Sequence, residues 1–254
     1  MKITFLGTGT SHGVPMIACD CPTCRSTDPH DRRLRPSIYV QMPDGTAVLV
    51  DAGPDLRQQA LAHDIRRVDA ILFTHGHADH ILGLDETRRF TARTGSAMLC
   101  YGDPATLDDI RGMFRYVFDP AAPQGGGLPS LELIGVQGPI SINGHSVQPL
   151  AIMHGERPIL GYRFGSFAYL TDCNAIPDHT WPLLHNLEVV VLDALRERVH
   201  PTHFSLSEAI EAARRIAARR TLFTHMCHDL PHAATNARLP TGMQLAYDGL
   251  VLEL

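Results

Sequence analysis

Four strong metal-ligating side chains fall within six positions of this chain, in the run Thr74-His75-Gly76-His77-Ala78-Asp79-His80. Neutral imidazoles with a carboxylate suit zinc, manganese or iron. A packed core would not gather four such groups, because burying them unpaired is costly. One run of this kind rarely completes a two-metal site, so further donors are sought elsewhere. They stand at the ends of later apolar runs: His154 closes 147–153, Asp172 closes 167–171 and His225 closes 221–224. Each alone reads as well as a strand-end cap or a satisfied polar residue. Their shared placement at strand ends points instead to a single cluster. Two cations held by such a set suit hydrolysis at phosphorus or at an acyl carbon.

A second cluster lies near the N-terminus. Cys19-Asp20-Cys21-Pro22-Thr23-Cys24 has Cys-x-Cys-x-x-Cys spacing, close to a structural zinc pattern but short of a fourth ligand in its own segment. His228, three residues beyond His225, is the candidate for the fourth. Cys227 between them is expected to pack inward. Asp51, closing 48–50, either orients the metal-binding loop or caps a turn. Arg33, Arg35 and Ser37 follow the cysteine loop and are within reach of a substrate phosphate, although solvated surface arginine is the preferred reading. Arg214, Arg215, Arg219 and Arg220 read as an exposed face rather than a nucleic-acid patch.

The elements that must position these residues alternate along the chain. Strands are predicted over 3–6, 37–41, 47–50, 70–73 and 97–101, with helices over 54–62 and 104–114. The apolar spacing of Ile81, Leu82, Leu84, Thr87 and Phe90 places His80 near a helix N-terminus. The segment 119–130, with its Pro-Gln-Gly-Gly-Gly-Leu-Pro, breaks the pattern and is expected to be a mobile loop. Strands then follow over 131–134, 146–153, 160–164, 167–171, 189–192, 221–224 and 250–254, with a helix over 206–219. Two strand sets, each covered by helices, give an α/β fold: an αβ/βα four-layer sandwich of two mixed sheets flanked by helices.

The 254 residues carry no Pro-, Ser- or charge-rich linker, so one domain over 1–254 is expected, with the zinc loop at 19–24. Six cysteines without a secreted disulfide spacing, no signal peptide and no apolar span fit the cytoplasm rather than a membrane. A net charge of -5 disfavours a protein that grips long nucleic acid by its backbone and favours a small substrate.

The His-x-His-x-Asp-His run resembles the signature of the metallo-β-lactamase superfamily. The β-lactamases proper lack the bridging aspartate, and the flavin-linked di-iron members have Glu where His77 stands, so neither branch matches. Within the superfamily, Gly7-Thr8-Gly9-Thr10-Ser11, the three cysteines, the histidine run, Tyr169-Leu170-Thr171-Asp172 and Thr224-His225-Met226-Cys227-His228 recur in the order of the PhnP-type phosphodiesterases, over essentially the whole chain. The resemblance implies that His75, His77 and His154 hold one divalent metal (zinc or manganese, or iron), that Asp79, His80 and His225 hold the other, and that Asp172 bridges. It implies a structural zinc on Cys19, Cys21, Cys24 and His228, a dimer, and hydrolysis of cyclic phosphodiesters such as a phosphoribosyl cyclic phosphate. Asp79 and His203 are read as catalytic. His203 directly precedes a helix, where the family places a histidine facing the leaving group, with His200 as its confounder and helix capping as the alternative. The opening Thr10-Ser11-His12-Gly13-Val14-Pro15 departs toward the family's broader relatives. A transfer-RNA 3′-processing nuclease is a rival, but 119–130 has no Lys or Arg to form its basic arm. Thioester or lactone hydrolysis and a non-hydrolytic role like that of the pyrroloquinoline quinone biosynthesis relatives are the others.

Overall fold

The computed structural model describes residues 1–119, 121 and 127–254, so the core of the expected loop at 119–130 lies outside the described residues. Fourteen strands are described, in two sheets of seven. The first contains β1 (Lys2–Gly7), β2 (Ser37–Gln41), β3 (Ala47–Val50), β4 (Ala70–Leu72), β5 (Met98–Gly102), β6 (Leu131–Gly135) and β14 (Val251–Glu253), in the order β14-β1-β2-β3-β4-β5-β6. The second contains β7 (Ile140–Ile142), β8 (His145–His154), β9 (Arg157–Phe164), β10 (Phe167–Leu170), β11 (Val189–Asp193), β12 (Arg220–Thr224) and β13 (Met243–Leu245), in the order β13-β12-β11-β10-β9-β8-β7. Both sheets are mixed: each has an antiparallel half and a parallel half, the latter being β3 to β6 in the first and β10 to β13 in the second.

The four layers follow from period-2 burial on strands that are apolar on both faces. In β2, Ile38 and Val40 face the other sheet while Tyr39 faces the helices; in β10, Phe167 and Tyr169 point inward and Ala168 and Leu170 outward. The inward residues of both sheets merge into one central core. The outward residues of the first sheet pack under helices α1 (Leu56–Ala62), α2 (Ala78–Ile81), α3 (Arg88–Thr94), α4 (Pro104–Met113) and α5 (Arg115–Phe118), and those of the second under α6 (Leu206–Ile216). A short α7 (His232–Asn236) follows β12. No helix of the described residues is long and apolar enough to cross a membrane.

The predicted sandwich is therefore present, with shifts at element ends. Helix α6 stops at Ile216 rather than 219 because Ala217 takes the left-handed conformation, φ 55°, that closes a helix. Its start is fixed by a capping box between Ser205 and Glu208. The three-residue strands β7 and β13 were not predicted; neither is long enough to show a period of its own.

Candidate metal centre

The ligating side chains come from strand ends that converge on one edge of the sandwich. His75 and His77 follow β4, and Asp79 and His80 lie on α2, which His77 precedes as N-cap. His154 is the last residue of β8, Asp172 follows β10 and His225 follows β12. Three residues of this edge that are not glycine hold left-handed backbone: Asp51 (φ 62°), Asp172 (φ 59°) and His225 (φ 60°). Each such conformation costs on the order of 1–3 kcal/mol and persists only where the surroundings enforce it. The chain turns sharply there and aims the side chain across the strand ends rather than along the sheet.

The seven predicted side chains are brought together. Asp172 Oδ2 lies 3.8 Å from His75 Nε2, 3.3 Å from His80 Nε2 and 3.1 Å from His225 Nε2. Asp79 Oδ2 is 3.3 Å from His80 Nε2 and 3.6 Å from His225 Nε2. The rings of His75, His77 and His154 stand with centroids 4.5, 5.3 and 5.1 Å apart. Ligand atoms divide into a His75-His77-His154 group and an Asp79-His80-Asp172-His225 group. The Nε2 atoms of His75, His80 and His225 are fully buried without a hydrogen-bond partner among the described residues. Buried polar atoms are normally paired, so three converging orphans beside two carboxylates fit a cation.

Electrostatics agree. Burial drives His75 well below its ordinary pKa, and His77 and His154 down as well, so all three stay neutral and able to donate a lone pair. At the second group burial opposes charge too, yet His225 and His80 hold the Asp172 carboxyl well below the usual carboxylate range, and Asp172, Asp79 and Asp51 raise His80 far above its own. Acid groups packed this way require positive charge among them.

Around the ligands, Asp51 acts on His80 rather than capping a turn alone. Its Oδ2 is 2.8 Å from His80 Nδ1 and 2.9 Å from Thr74 Oγ1, while Oδ1 accepts the Thr74 N–H at 2.8 Å. Fixing Nδ1 orients Nε2 toward the site. Two residues on, a Cβ at Gly53 would fall 2.1 Å from the Asp79 carbonyl oxygen, which explains the glycine of Asp51-Ala52-Gly53. His154 Nδ1 is likewise held, donating to the Asp172 carbonyl at 2.7 Å.

The cysteine cluster also assembles. Cys19, Cys21 and Cys24 Sγ lie 3.3, 3.5 and 3.4 Å from His228 Nδ1. Sulfur and nitrogen ligands of a tetrahedral zinc, bound at about 2.3 and 2.0 Å, stand about 3.5 Å apart, so these three contacts have the spacing of a zinc shell. Cys227 is half-buried and its sulfur accepts the Asp229 N–H at 3.3 Å, apart from that shell.

His203 sits at the mouth of the first cluster. Its ring stands 4.8 Å from that of His154 and stacks on that of His225 at 4.7 Å. Its Nδ1 is 2.8 Å from Asp193 Oδ2. Asp193, the last residue of β11, is fully buried and escaped the sequence reading. The signal was available, since it closes the apolar run 189–192 as Asp172 closes its own. Burial pushes His203 down and Asp193 up, so neither carries its charge without the other. His200, the confounder, lies outward, with its ring 5.1 Å from that of His203 and only half-buried.

One group of expectations is overturned. Arg33 is neither solvated nor aimed at substrate: its side chain is wholly buried, donating to the carbonyls of Cys227 at 2.9 Å and Leu230 at 2.6 Å and pairing with Asp31 at 3.3 Å. Carbonyls left over where the chain leaves β12 draw it inward. Ser37 donates to the Val50 and Asp51 carbonyls from within the core, and Arg35 pairs with Asp55 at 3.1 Å. Among the described residues, no hydrogen bond or ion pair joins any of the three to a metal-ligand side chain. Arg215, in contrast, is on the outer surface as expected, with its guanidinium 3.7 Å over the Trp181 ring.

The family described as "Beta-lactamase superfamily domain" matches residues 46–226. A solved diphosphatase of the PhnP family is 47% identical, covering 99% of this chain and 96% of its own, with a TM-score of 0.93. The zinc-bound PqqB of Methylobacterium extorquens shares the fold at 21% identity and a TM-score of 0.81, each chain fully covered. An octanoyltransferase of Porphyromonas gingivalis is 38% identical over 98% of this chain but only 51% of its own, so the chain spans about half the length of that relative.

Proposed function

The chain belongs to the PhnP family of the β-lactamase superfamily, it is a metal-dependent hydrolase, and from that premise we propose that its substrates are small phosphodiesters, cyclic or diphosphate-linked. The observation that carries this reading is Asp172 Oδ2, set 3.1 to 3.8 Å from the Nε2 atoms of three histidines, where one carboxylate oxygen can serve two cations. His75, His77 and His154 would hold one metal, Asp79, His80 and His225 the other, and Cys19, Cys21, Cys24 and His228 would hold a structural zinc. Zinc and manganese both suit the first two positions. We read residues 1–254 as a single hydrolase domain. Six cysteines, none in a disulfide among the described residues, suit a reducing cytoplasm, and the acidic balance suits a small substrate better than nucleic acid. A homodimer is part of the same reading.

Divalent cations bound there polarise the phosphoryl oxygens and lower the pKa of water. The remaining steps belong to side chains. As a water oxygen bonds to phosphorus it gives up a proton to solvent, and as the phosphorus–oxygen bond to the leaving group breaks, the departing oxygen needs a proton. His203 supplies it, and solvent returns a proton to the imidazole. Asp193, 2.8 Å from Nδ1, fixes the ring so that Nε2 is the atom offered, and it stabilises the imidazolium.

Phosphorus NMR of metal-reconstituted protein with cyclic, linear and diphosphate-linked diesters tests the class, with Asp79→Ala as blank. His203→Ala should slow alkoxide leaving groups by about a hundredfold and nitrophenolate far less. Equal slowing of both would remove the acid role. A second reading, thioester hydrolysis, is supported by the similarity to a protein named octanoyltransferase, of which this chain matches only half. An octanoyl thioester in the same panel, turned over while every phosphodiester is left intact, would put that reading first.

A further inference from the structure

A cleft of about 330 Å³ opens beside His203 and runs away from the metal ligands toward His228. One wall is the turn around Ser11 and His12, closed by the Gly13 N–H donating to the Thr10 carbonyl at 2.7 Å. The other is the segment from Arg196 to His200, which leaves the second sheet just after Asp193. His203 therefore belongs to two places at once, the rim of the metal cluster and the inner end of this cleft. If phosphorus sits at the metals and the departing oxygen meets His203, whatever that oxygen carries lies in the cleft.

The cleft is basic. It is lined by Arg196, Arg198, His12 and His200 against a single carboxylate, Asp229, and Asp229 already stands 3.8 Å from Arg198. Arg196 differs from the other arginine. Its backbone is pinned, with its carbonyl accepting the Leu206 N–H at 2.8 Å and a bridge to Ser205, two residues from His203. Its guanidinium is folded over its own loop, Nε donating to the Arg198 carbonyl and Nη2 to that of Val199, both at 3.2 Å. No carboxylate pairs with it among the described residues, and its Nη1 has no hydrogen-bond partner there. A half-buried, pre-ordered guanidinium without a counter-ion is suited to an anion. In the same lining, the His12 side chain makes no hydrogen bond among the described residues, and His200 uses Nδ1 to accept from Thr202 at 3.3 Å, leaving Nε2 uncommitted.

We propose that this cleft is the leaving-group subsite and that Arg196, with His12 of the same lining, selects substrates whose departing group itself carries a phosphate. The proposal rests on the phosphodiester reading above and adds to it the side of the substrate that is not attacked. Arg196 is a specificity residue here, and proton transfer stays with His203.

The test compares kcat/KM for ADP-ribose, whose departing group is a phosphomonoester, with that for thymidine 5′-(4-nitrophenyl phosphate), whose departing group is nitrophenolate, on the metal-loaded full chain. The quantity read is the ratio of the two. Arg196→Gln should lower that ratio by about tenfold or more, the loss expected for a charge-assisted hydrogen bond to phosphate. Arg196→Lys should recover part of it, and His12→Gln, on the wall that bonds no loop carbonyl, should lower it in the same direction by a smaller factor. A ratio unchanged in both the Gln variants overturns the proposal, even if Arg196→Gln loses activity on both substrates, because that pattern is loosening of the 196–200 loop. Failure of the wild type to cleave either substrate is a different result: it defeats the phosphodiester reading, and this inference with it.

Discussion

The two metal-ligating clusters use donors of similar strength in opposite ways. The Cys19-Cys21-Cys24-His228 cluster is closed: each sulfur is 3.3 to 3.5 Å from the one imidazole nitrogen, a spacing at which four ligands would fill a tetrahedron. The His75-to-His225 cluster is open. It spreads seven side chains over two groups, with Asp172 of the second reaching within 3.8 Å of His75 of the first, orphans three buried Nε2 atoms and ends at His203 and a cleft. A filled shell contributes folding energy, whereas an incomplete one keeps room for substrate and water. The two are joined by the four-residue stretch His225 to His228 beyond β12, anchored from behind by Arg33.

The sharpest break in this contrast is Asp172→Ala. It removes the carboxylate that lies 3.1 to 3.8 Å from histidines of both groups, so hydrolysis should fall by at least about a thousandfold. Metal analysis of the same variant should show less than the wild-type complement while one zinc per chain remains on the cysteines. Loss of that zinc as well would mean that the clusters are not separable.

Cys24→Ser is the converse. Cys24 is the most buried of the three sulfurs, and its loss should cost more than about 3 kcal/mol of stability, read as a lowered melting temperature and loss of the tightly held zinc. At temperatures where the variant stays folded, activity per molecule should fall much less than in Asp172→Ala. An activity loss as deep as that of Asp172→Ala would assign the cysteine cluster a part in the chemistry itself.

Arg33→Met tests the link between the clusters. It takes the guanidinium donor from the Leu230 carbonyl, leaves the Cys227 carbonyl with only the long Leu230 N–H bond at 3.4 Å, and leaves the Asp31 carboxylate with the His232 N–H but no cation, in a site where the side chain is wholly buried. The cost should be about 2–4 kcal/mol in chemical denaturation, with retention of zinc weakened more than binding of the catalytic metals. A neutral effect would mean that solvent reaches those carbonyls.

How far these clusters could be read from the chain depends on whether a residue's role is local. His75, His77, Asp79 and His80 declare themselves because their spacing is the function. His154, Asp172 and His225 are recognisable because each interrupts an apolar run at a point where a strand must end. Asp193 interrupts its run in the same way and was passed over. A carboxylate after a buried strand is ambiguous until a histidine ten residues later is seen to return to it at 2.8 Å. Arg33 was misread for the complementary reason. Sequence shows its charge, but its partners are carbonyls 194 and 197 residues away, and an arginine satisfied by backbone looks like one satisfied by water. Arg196 is harder again, because its significance lies in the cleft it lines and in the partner it lacks. The sandwich was legible because strands buried on both faces carry long apolar runs, while β7 and β13, at sheet edges and only three residues long, carry too little pattern to register.

The smallest effect concerns the ground under the closed cluster. Asp248 accepts the Leu34 N–H and the Thr8 hydroxyl, both at 2.7 Å, next to Arg33, and burial pushes its carboxyl up to about 7 from the ordinary 3.8 despite those bonds. A carboxyl whose folded pKa lies above its unfolded one favours the native state fully below the unfolded value, and this advantage is lost as pH rises through the folded value. The window therefore runs from about 4 to about 7. Between about pH 5 and pH 8 the wild type should lose on the order of 2 kcal/mol relative to Asp248→Asn, which imitates the neutral carboxyl and removes the titration. Paired melts at the two pH values measure it. A stability gap between the two proteins that stays constant with pH would mean that Asp248 is ionised throughout, held there by Arg33. The buried link beneath the cysteine cluster would then be a full ion pair rather than a set of neutral hydrogen bonds.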